Sequence, residues 1–112
     1  MPILVTGFEP FSGSTLNPSQ LIVAALAETQ LAENLVLEVL PVEYDRAGKR
    51  LEQLIAQHEP HTVVCIGQAE GRASISIETR AQNLDDANLA DNSGEMRTGQ
   101  PISSHGSSDI AT

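Results

Sequence analysis

TVVCIGQAEGRASISIETRAQN, residues Thr62 to Asn83, opens with a β-branched run, Thr62 to Ile66, too short for a stable helix and closed by Gly67. That is the pattern of a buried parallel strand. A loop bounded by glycines follows from Gln68 to Arg72. Strict alternation then sets Ile75, Ile77, Thr79 and Ala81 on one face of a second strand and Ser74, Ser76, Glu78 and Arg80 on the other. Glu78 falls on the polar face, just beyond a buried strand and its loop, where open α/β sheets commonly do their chemistry. As an ordinary surface carboxylate it would instead pair with Arg72 or Arg80.

Upstream of this stretch, Glu59-Pro60 ends a predicted helix whose N-cap is Asp45 and whose apolar stripe is Ala47, Leu51, Leu54, Ile55 and His58. Before it, Leu35 to Val42 reads as a strand, with Pro41 near its end, after a polar link from Gln30 to Asn34. Asn17-Pro18 starts an earlier helix, with Asn as cap and Pro at the first helical position, where its missing N–H costs nothing. That helix is expected to run to about Thr29, with Leu21, Ile22, Ala25 and Leu26 as its apolar face. Ile3 to Thr6 is a first short strand, ended by Gly7. The order strand, helix, strand, helix, strand predicts an α/β fold: a mostly parallel sheet flanked by helices in three layers, joined by right-handed crossovers.

Downstream the pattern dissolves. From Asn88 to Thr112 there is no periodicity, and Gly, Ser, Asn and Asp dominate. The expectation is one partial α/β domain over 1–112, with an ordered core at 1–87 and an irregular tail at 88–112. So long a structureless stretch is unusual in a compact domain, and the chain is expected to be a portion of a larger, complete fold.

Composition excludes several function classes. A net charge of −9 with only six Lys and Arg argues against nucleic acid, whose affinity rests on cationic side chains releasing counterions. No apolar run approaches the roughly 20 residues of a membrane span, and Ile3-Leu4-Val5 is too short for a signal peptide. A single cysteine makes no internal disulfide, so a reducing cytoplasm is the expected compartment.

The only two phenylalanines, Phe8 and Phe11, sit in the loop Gly7 to Gly13, GFEPFSG. Two aromatics in a turn-like loop form either a local apolar plug or the walls of a pocket. The same loop is a poor phosphate cradle, because it lacks GxGxxG and GK[ST], and Glu9 would repel an anion. Cys65 stands in an apolar run and is expected to be an inert core thiol. His61, four residues back on the same strand, would be about 13 Å away at ~3.3 Å per residue. The two cannot form a dyad.

GFEPFSG, Asn17-Pro18 and the run GQAEGRASISIE at 67–78, in that order and spacing, resemble the N-terminal half of pyroglutamyl peptidase I, also called pyrrolidone carboxyl peptidase, from Ile3 to about Gly94. The resemblance implies a cysteine peptidase that removes N-terminal pyroglutamyl residues from peptides through a thioester acyl-enzyme, with no cofactor and no metal. It places Glu78 at the family's glutamate, which orients the catalytic imidazole. Phe8 and Phe11 become walls for the flat pyroglutamyl ring, so Glu78 is expected beside the pocket they form. Gln68 becomes a polar group at the ring, its alternative being an ordinary loop amide. The family's Cys and His belong to a later part of the chain, so this stretch alone is expected to be inactive. The alternative is a non-catalytic binding or interaction remnant of the same fold. Pyroglutamyl peptides are the implied partners, without nucleic acid or membrane, and a homo-oligomeric full-length form is left open. The chain departs from the family pattern at Glu70, Thr79 and Arg80, and Asn88 stands where the family has an arginine credited with helping the oxyanion.

Overall fold

The computed structural model describes residues 2–112. Three parallel strands form the sheet: β1 (Ile3–Phe8), β2 (Leu35–Leu40) and β3 (Thr62–Cys65), in the order β2-β1-β3. Leu4 pairs with Val36 on one side and Val63 on the other, and Thr6 with Glu38 and Cys65. Helix α1 (Pro18–Ala27) joins β1 to β2 through a single 3-10 turn at Gln30–Asn34, and α2 (Arg46–His58) joins β2 to β3. The expected α/β class with a mostly parallel sheet between helices is what the structure shows.

β1 organises both faces. Leu4 and Phe8 point toward α2, where Leu4, Leu40 and Leu54 form a buried cluster joined by Val36, Ala47 and Leu51. Ala47, Leu51 and Leu54 therefore lie inward as predicted, while Ile55 is 40% exposed. On the opposite face Val5 and Gly7 meet α1. A Cβ on Gly7 would stand 2.6 Å from the Ser19 carbonyl oxygen, so only glycine lets the helix come this close. Gly7 thus lies inside β1 and does not end it.

That close approach also resets the face of α1. The inward residues are Ser19, Val23 and Leu26, at helical spacing. Leu21 and Ile22, expected to point inward, are 51% and 40% exposed. A polar Ser19 can be buried because its hydroxyl accepts from the Phe8 N–H at 2.9 Å and donates to the Asn17 carboxamide oxygen at 2.7 Å. Asn17 caps the helix as read from the sequence, accepting from the Ser19 N–H at 3.0 Å, with Pro18 opening the first turn.

Two further expectations are corrected. β3 is a parallel strand but not a buried one, since all four of its residues are exposed. It is bonded to β1 alone, and the helices lie chiefly over β1 and β2. Cys65 is consequently exposed, not a core thiol. The predicted second strand from Ser74 enters a ladder only at β4 (Arg80–Gln82), antiparallel to β5 (Asp109–Ala111). Ile75 and Ile77 are 95% and 89% exposed. Their alternation is that of a strand, yet residues 74–78 pair with no strand among the described residues.

Residues 88–112 include β5, in a stretch that showed no periodicity in the sequence. They also bond back to the body. The Asn92 N–H donates to the Val42 carbonyl at 2.8 Å, and the Thr112 N–H to the Thr79 carbonyl at 3.1 Å.

Candidate functional site

The loop that leaves β1 is clamped on every side. From below, the Asn17 amide donates to the Glu9 carbonyl at 3.1 Å. Alongside, the Glu9 N–H continues the ladder onto the Leu40 carbonyl at 3.1 Å. Its carboxylate accepts from the Val42 N–H at 3.1 Å and from the Asn92 amide at 3.0 Å. Asn92 donates as well to the Pro10 carbonyl at 2.9 Å. Ser12 and Gly13, with φ of 55 and 76, then turn the chain back toward α1. Each bond fixes backbone between Phe8 and Phe11, and so fixes the two rings.

Both rings line one open cleft of about 860 Å³, within the size range of small-molecule sites. Its other walls come from the β2–α2 connection, including Val42 and Tyr44, the first turns of α2, and the segment from Asp85 to Asp91. Phe8 is shared with the core cluster, whereas Phe11 is half-buried outside it. Phe8 thus belongs both to the core packing and to the cleft wall, and Phe11 to the cleft wall. Asn88 is also on this wall.

Arg97 ties the cleft together. Its guanidinium lies 2.7 Å from Asp45, 3.0 Å from Asp85 and 2.5 Å from Glu95, and 4.5 Å over the Tyr44 ring. The hydrogen bonds to Asp45, Asp85 and Glu95 outweigh partial burial and raise its pKa further, so it stays charged. Asp45, predicted as a cap, occupies the N-cap position of α2 but makes no cap bond. Its carboxylate is spent on Arg97, whose hydrogen bond is the main reason its pKa is lowered.

Asp91 closes the rim. One carboxylate oxygen accepts from the Ser93 N–H, the Ser93 hydroxyl and the Glu95 N–H, and the other from the Tyr44 N–H at 2.7 Å. The Ser93 hydroxyl first, then these backbone donors, hold its carboxyl down at about 2 against the upward pull of partial burial.

Glu78 is not among these walls. It lines a separate polar cavity with Ile77, Thr79, Arg80, Gln82 and Leu84, contrary to the expectation that it would stand beside the phenylalanines. Its side chain is 71% exposed and pairs with Arg72 at 3.0 Å. Its backbone is held by the Thr112 hydroxyl, which donates to the Glu78 carbonyl at 2.6 Å, while its carboxylate turns to Arg72. Gln68 is half-buried after the end of β3 and lines neither cavity. His61 bonds to the Thr62 hydroxyl at 2.8 Å, away from Glu78. No group of three or more His, Cys, Asp or Glu side chains arranged to hold a metal occurs among the described residues.

Asn92, Asp91, Tyr44 and Arg97 were missed by sequence reasoning. The turn Asp91-Asn92-Ser93-Gly94 carries a local signal, an acidic side chain folding onto its own backbone. Nothing local marks Asn92 as the partner of Glu9, 83 positions away.

Comparison with known proteins identifies the family of the chain. The family model for pyroglutamyl peptidase matches residues 1–111. The chain is 41% identical over 102 residues to the pyrrolidone-carboxylate peptidase of Thermosipho melanesiensis, covering 91% of this chain and 50% of the relative. It is 36% identical over 105 residues to that of Bacillus cereus, covering 93% and 49%. The crystal structure of pyrrolidone carboxyl peptidase from Fervidobacterium islandicum superposes with a TM-score of 0.94 at 33% identity, covering 99% of this chain and 54% of that one. Pyroglutamyl peptidase I from Bacillus amyloliquefaciens superposes with a TM-score of 0.90 at 35% identity, covering 99% and 53%. The chain thus spans about half the length of the relatives it matches, their N-terminal half.

Proposed function

Since this chain belongs to the pyroglutamyl peptidase family, we propose that its cleft is the ring-binding half of a thiol peptidase acting on N-terminal pyroglutamyl peptides. The observation that carries the reading is that Phe8 and Phe11 wall one cleft and are held there by Asn17, Ser19, Glu9 and Asn92. A flat five-membered lactam offers two faces to stack and one amide edge to bond, which suits aromatic walls with polar groups nearby. Gln68 and Glu78 take the roles the resemblance gives them once the segment from Gln68 to Thr79 is held against the sheet. Glu78 would then accept the imidazole N–H of a histidine, and that histidine would take the proton from a cysteine thiol as it attacks the amide. Neither partner is met here: His61 faces Thr62, and Cys65, the sole cysteine, lies on the exposed strand β3. The reading includes a reducing, cytoplasmic setting for that thiol, supported by the lone cysteine.

Incubating the chain alone with a pyroglutamyl-amide reporter is expected to give no turnover. Hydrolysis that vanishes in Cys65→Ala would sink this assignment of the nucleophile. Binding tests the cleft itself. Phe11 is the informative position because Phe8 also supports the core. Phe11→Ala should weaken pyroglutamate binding by about 1–2 kcal/mol, roughly tenfold in Kd. Unchanged affinity in a calorimetric titration would remove the ring from the site. A non-catalytic binding role is the second reading, favoured by the solvent-facing Glu78–Arg72 pair. Ligand binding by this chain, with no turnover after the rest of a relative is supplied, would select it.

A further inference from the structure

We propose that Asn92 is a positioning residue for the cleft: its carboxamide holds the loop from Phe8 to Phe11 against the β2–α2 connection, and so sets where the Phe11 ring stands relative to the wall it faces.

The turn that carries Asn92 is fixed before it reaches the loop. The Gly94 N–H donates to the Asp91 carbonyl at 3.0 Å, which makes Asn92 and Ser93 the central residues of a β-turn. Gly94 follows at φ 90, a conformation in which a side chain would be strained. The Asp91 N–H bonds to the Glu95 carbonyl at 2.8 Å and closes the base of the turn. Two bonds then anchor it to the β2–α2 connection, one on each side of Glu43. The Asn92 N–H donates to the Val42 carbonyl at 2.8 Å, and the Tyr44 N–H to the Asp91 carboxylate at 2.7 Å.

From this anchored turn the Asn92 side chain reaches out to the aromatic loop. Its amide nitrogen carries two hydrogens, one donated to the Glu9 carboxylate at 3.0 Å and the other to the Pro10 carbonyl at 2.9 Å. The same Glu9 oxygen accepts from the Val42 N–H at 3.1 Å. Val42, Asn92 and Glu9 therefore form a closed circuit of bonds that ties one wall of the cleft to the other. Asn92 is exposed, and a single bond from a solvated amide contributes little. Here one side chain makes two bonds, one of them to a carboxylate, from a backbone already held, so little further entropy is lost.

The consequence falls on Phe11. Phe8 is fixed independently, through the Ser19 hydroxyl and the core cluster. Phe11 lies outside that cluster, next to the Pro10 carbonyl that Asn92 grips, and its own carbonyl accepts only from the nearby Ser14 N–H at 3.1 Å. Loss of the Asn92 donors should therefore loosen the ring that binds and leave the core intact.

Asn92→Asp keeps the size and the backbone bonds but sets a carboxylate against Glu9. The reversed pair, Glu9→Gln with Asn92→Asp, again faces a donor with an acceptor, their roles exchanged. At pH 7 each protein is titrated calorimetrically with pyroglutamate, and amide exchange is followed at Ser14, Val42 and along β1. In Asn92→Asp the affinity should fall about fivefold and the Ser14 and Val42 amides should exchange about tenfold faster, with β1 unchanged. The reversed pair should recover both. Wild-type exchange at Ser14 and Val42 in Asn92→Asp, or a reversed pair that recovers nothing, would overturn the proposal. So would a loosened loop with unchanged affinity, which would make Asn92 a structural tie alone. The affinity readout rests on the ring-binding reading above, and the exchange readout does not. If the wild-type protein binds no pyroglutamate while exchange responds as expected, the Asn92 tie is supported and the ring-binding reading is the one that fails.

Discussion

At Thr6 and Gly7, neighbours on β1, opposite faces of the strand ask opposite things of the side chain. Gly7 has the carbonyl oxygen of Ser19 where a Cβ would go, at 2.6 Å. Gly7→Ala should push α1 away at a cost of about 1–3 kcal/mol. Thr6 is fully buried on the α2 side, and its hydroxyl has no hydrogen-bond partner. Thr6→Val keeps the shape and removes the orphan, so it should stabilise by about 1 kcal/mol. Hydrogen exchange of the β1 amides reads both: protection should fall in the first variant and rise in the second. Asp91 gives a residue-scale expectation in pH. Its carboxyl is lowered from about 3.9 in an unfolded chain to about 2. A depressed carboxyl contributes stability that is complete above the unfolded value and is lost as pH falls through the folded one. The rim at Asp91 should therefore loosen between about pH 4 and pH 2, and a carboxyl carbon titration in NMR should place its midpoint near 2. A midpoint near 4 would mean that the four hydrogen bonds of Asp91 do not hold in solution.

Among the elements, the start of α2 depends on a residue far away in sequence. Arg97 reaches Asp45 at the helix N-cap position and Asp85 just after β4. Asp45 itself sits at φ 66, a conformation a non-glycine residue keeps only when its surroundings hold it. Arg97→Met retains bulk against Tyr44 but leaves three carboxylates without their common cation. The expected outcome is faster exchange of the Tyr44 N–H and of the first turn of α2, with β1 and β2 unaffected. Equal exchange in both proteins would show the cluster to be decorative. The helices were legible in the sequence because caps and apolar spacing are local: Asn17-Pro18 starts α1, and Leu51 and Leu54 turn α2 inward. The inward face of α1 was misread, since Ser19 is buried through bonds to Phe8 and Asn17 that hydrophobic spacing does not encode. β4 was foreseen as part of a longer strand, and β5 was not foreseen. A three-residue strand is defined by its partner more than by its own residues.

For the whole molecule, the Cα radius of gyration of 14.7 Å exceeds the roughly 13 Å of a compact domain of this length. Among the described residues the buried hydrophobic core is Leu4, Val5, Val23, Leu40 and Leu54. So small a core beside an open sheet edge should not support a sharp unfolding transition in the isolated chain. Calorimetry on a monomeric sample is expected to show a broad, weakly cooperative endotherm, and a single steep one would refute the account of β3 as an uncovered edge. No helix among the described residues is long and apolar enough to cross a membrane.

The order of strands and helices from β1 to β3, the capped start of α1, the inward stripe of α2 and the aromatic loop were written in the sequence, because each is set by contacts a few residues apart. Tertiary structure alone decided which face of α1 is buried, that β3 and Cys65 are exposed, and that Asn92 holds Glu9 across 83 positions. Those outcomes depend on which surfaces find a partner once the chain has folded. Local patterning can call for burial, but only a neighbouring element can supply it.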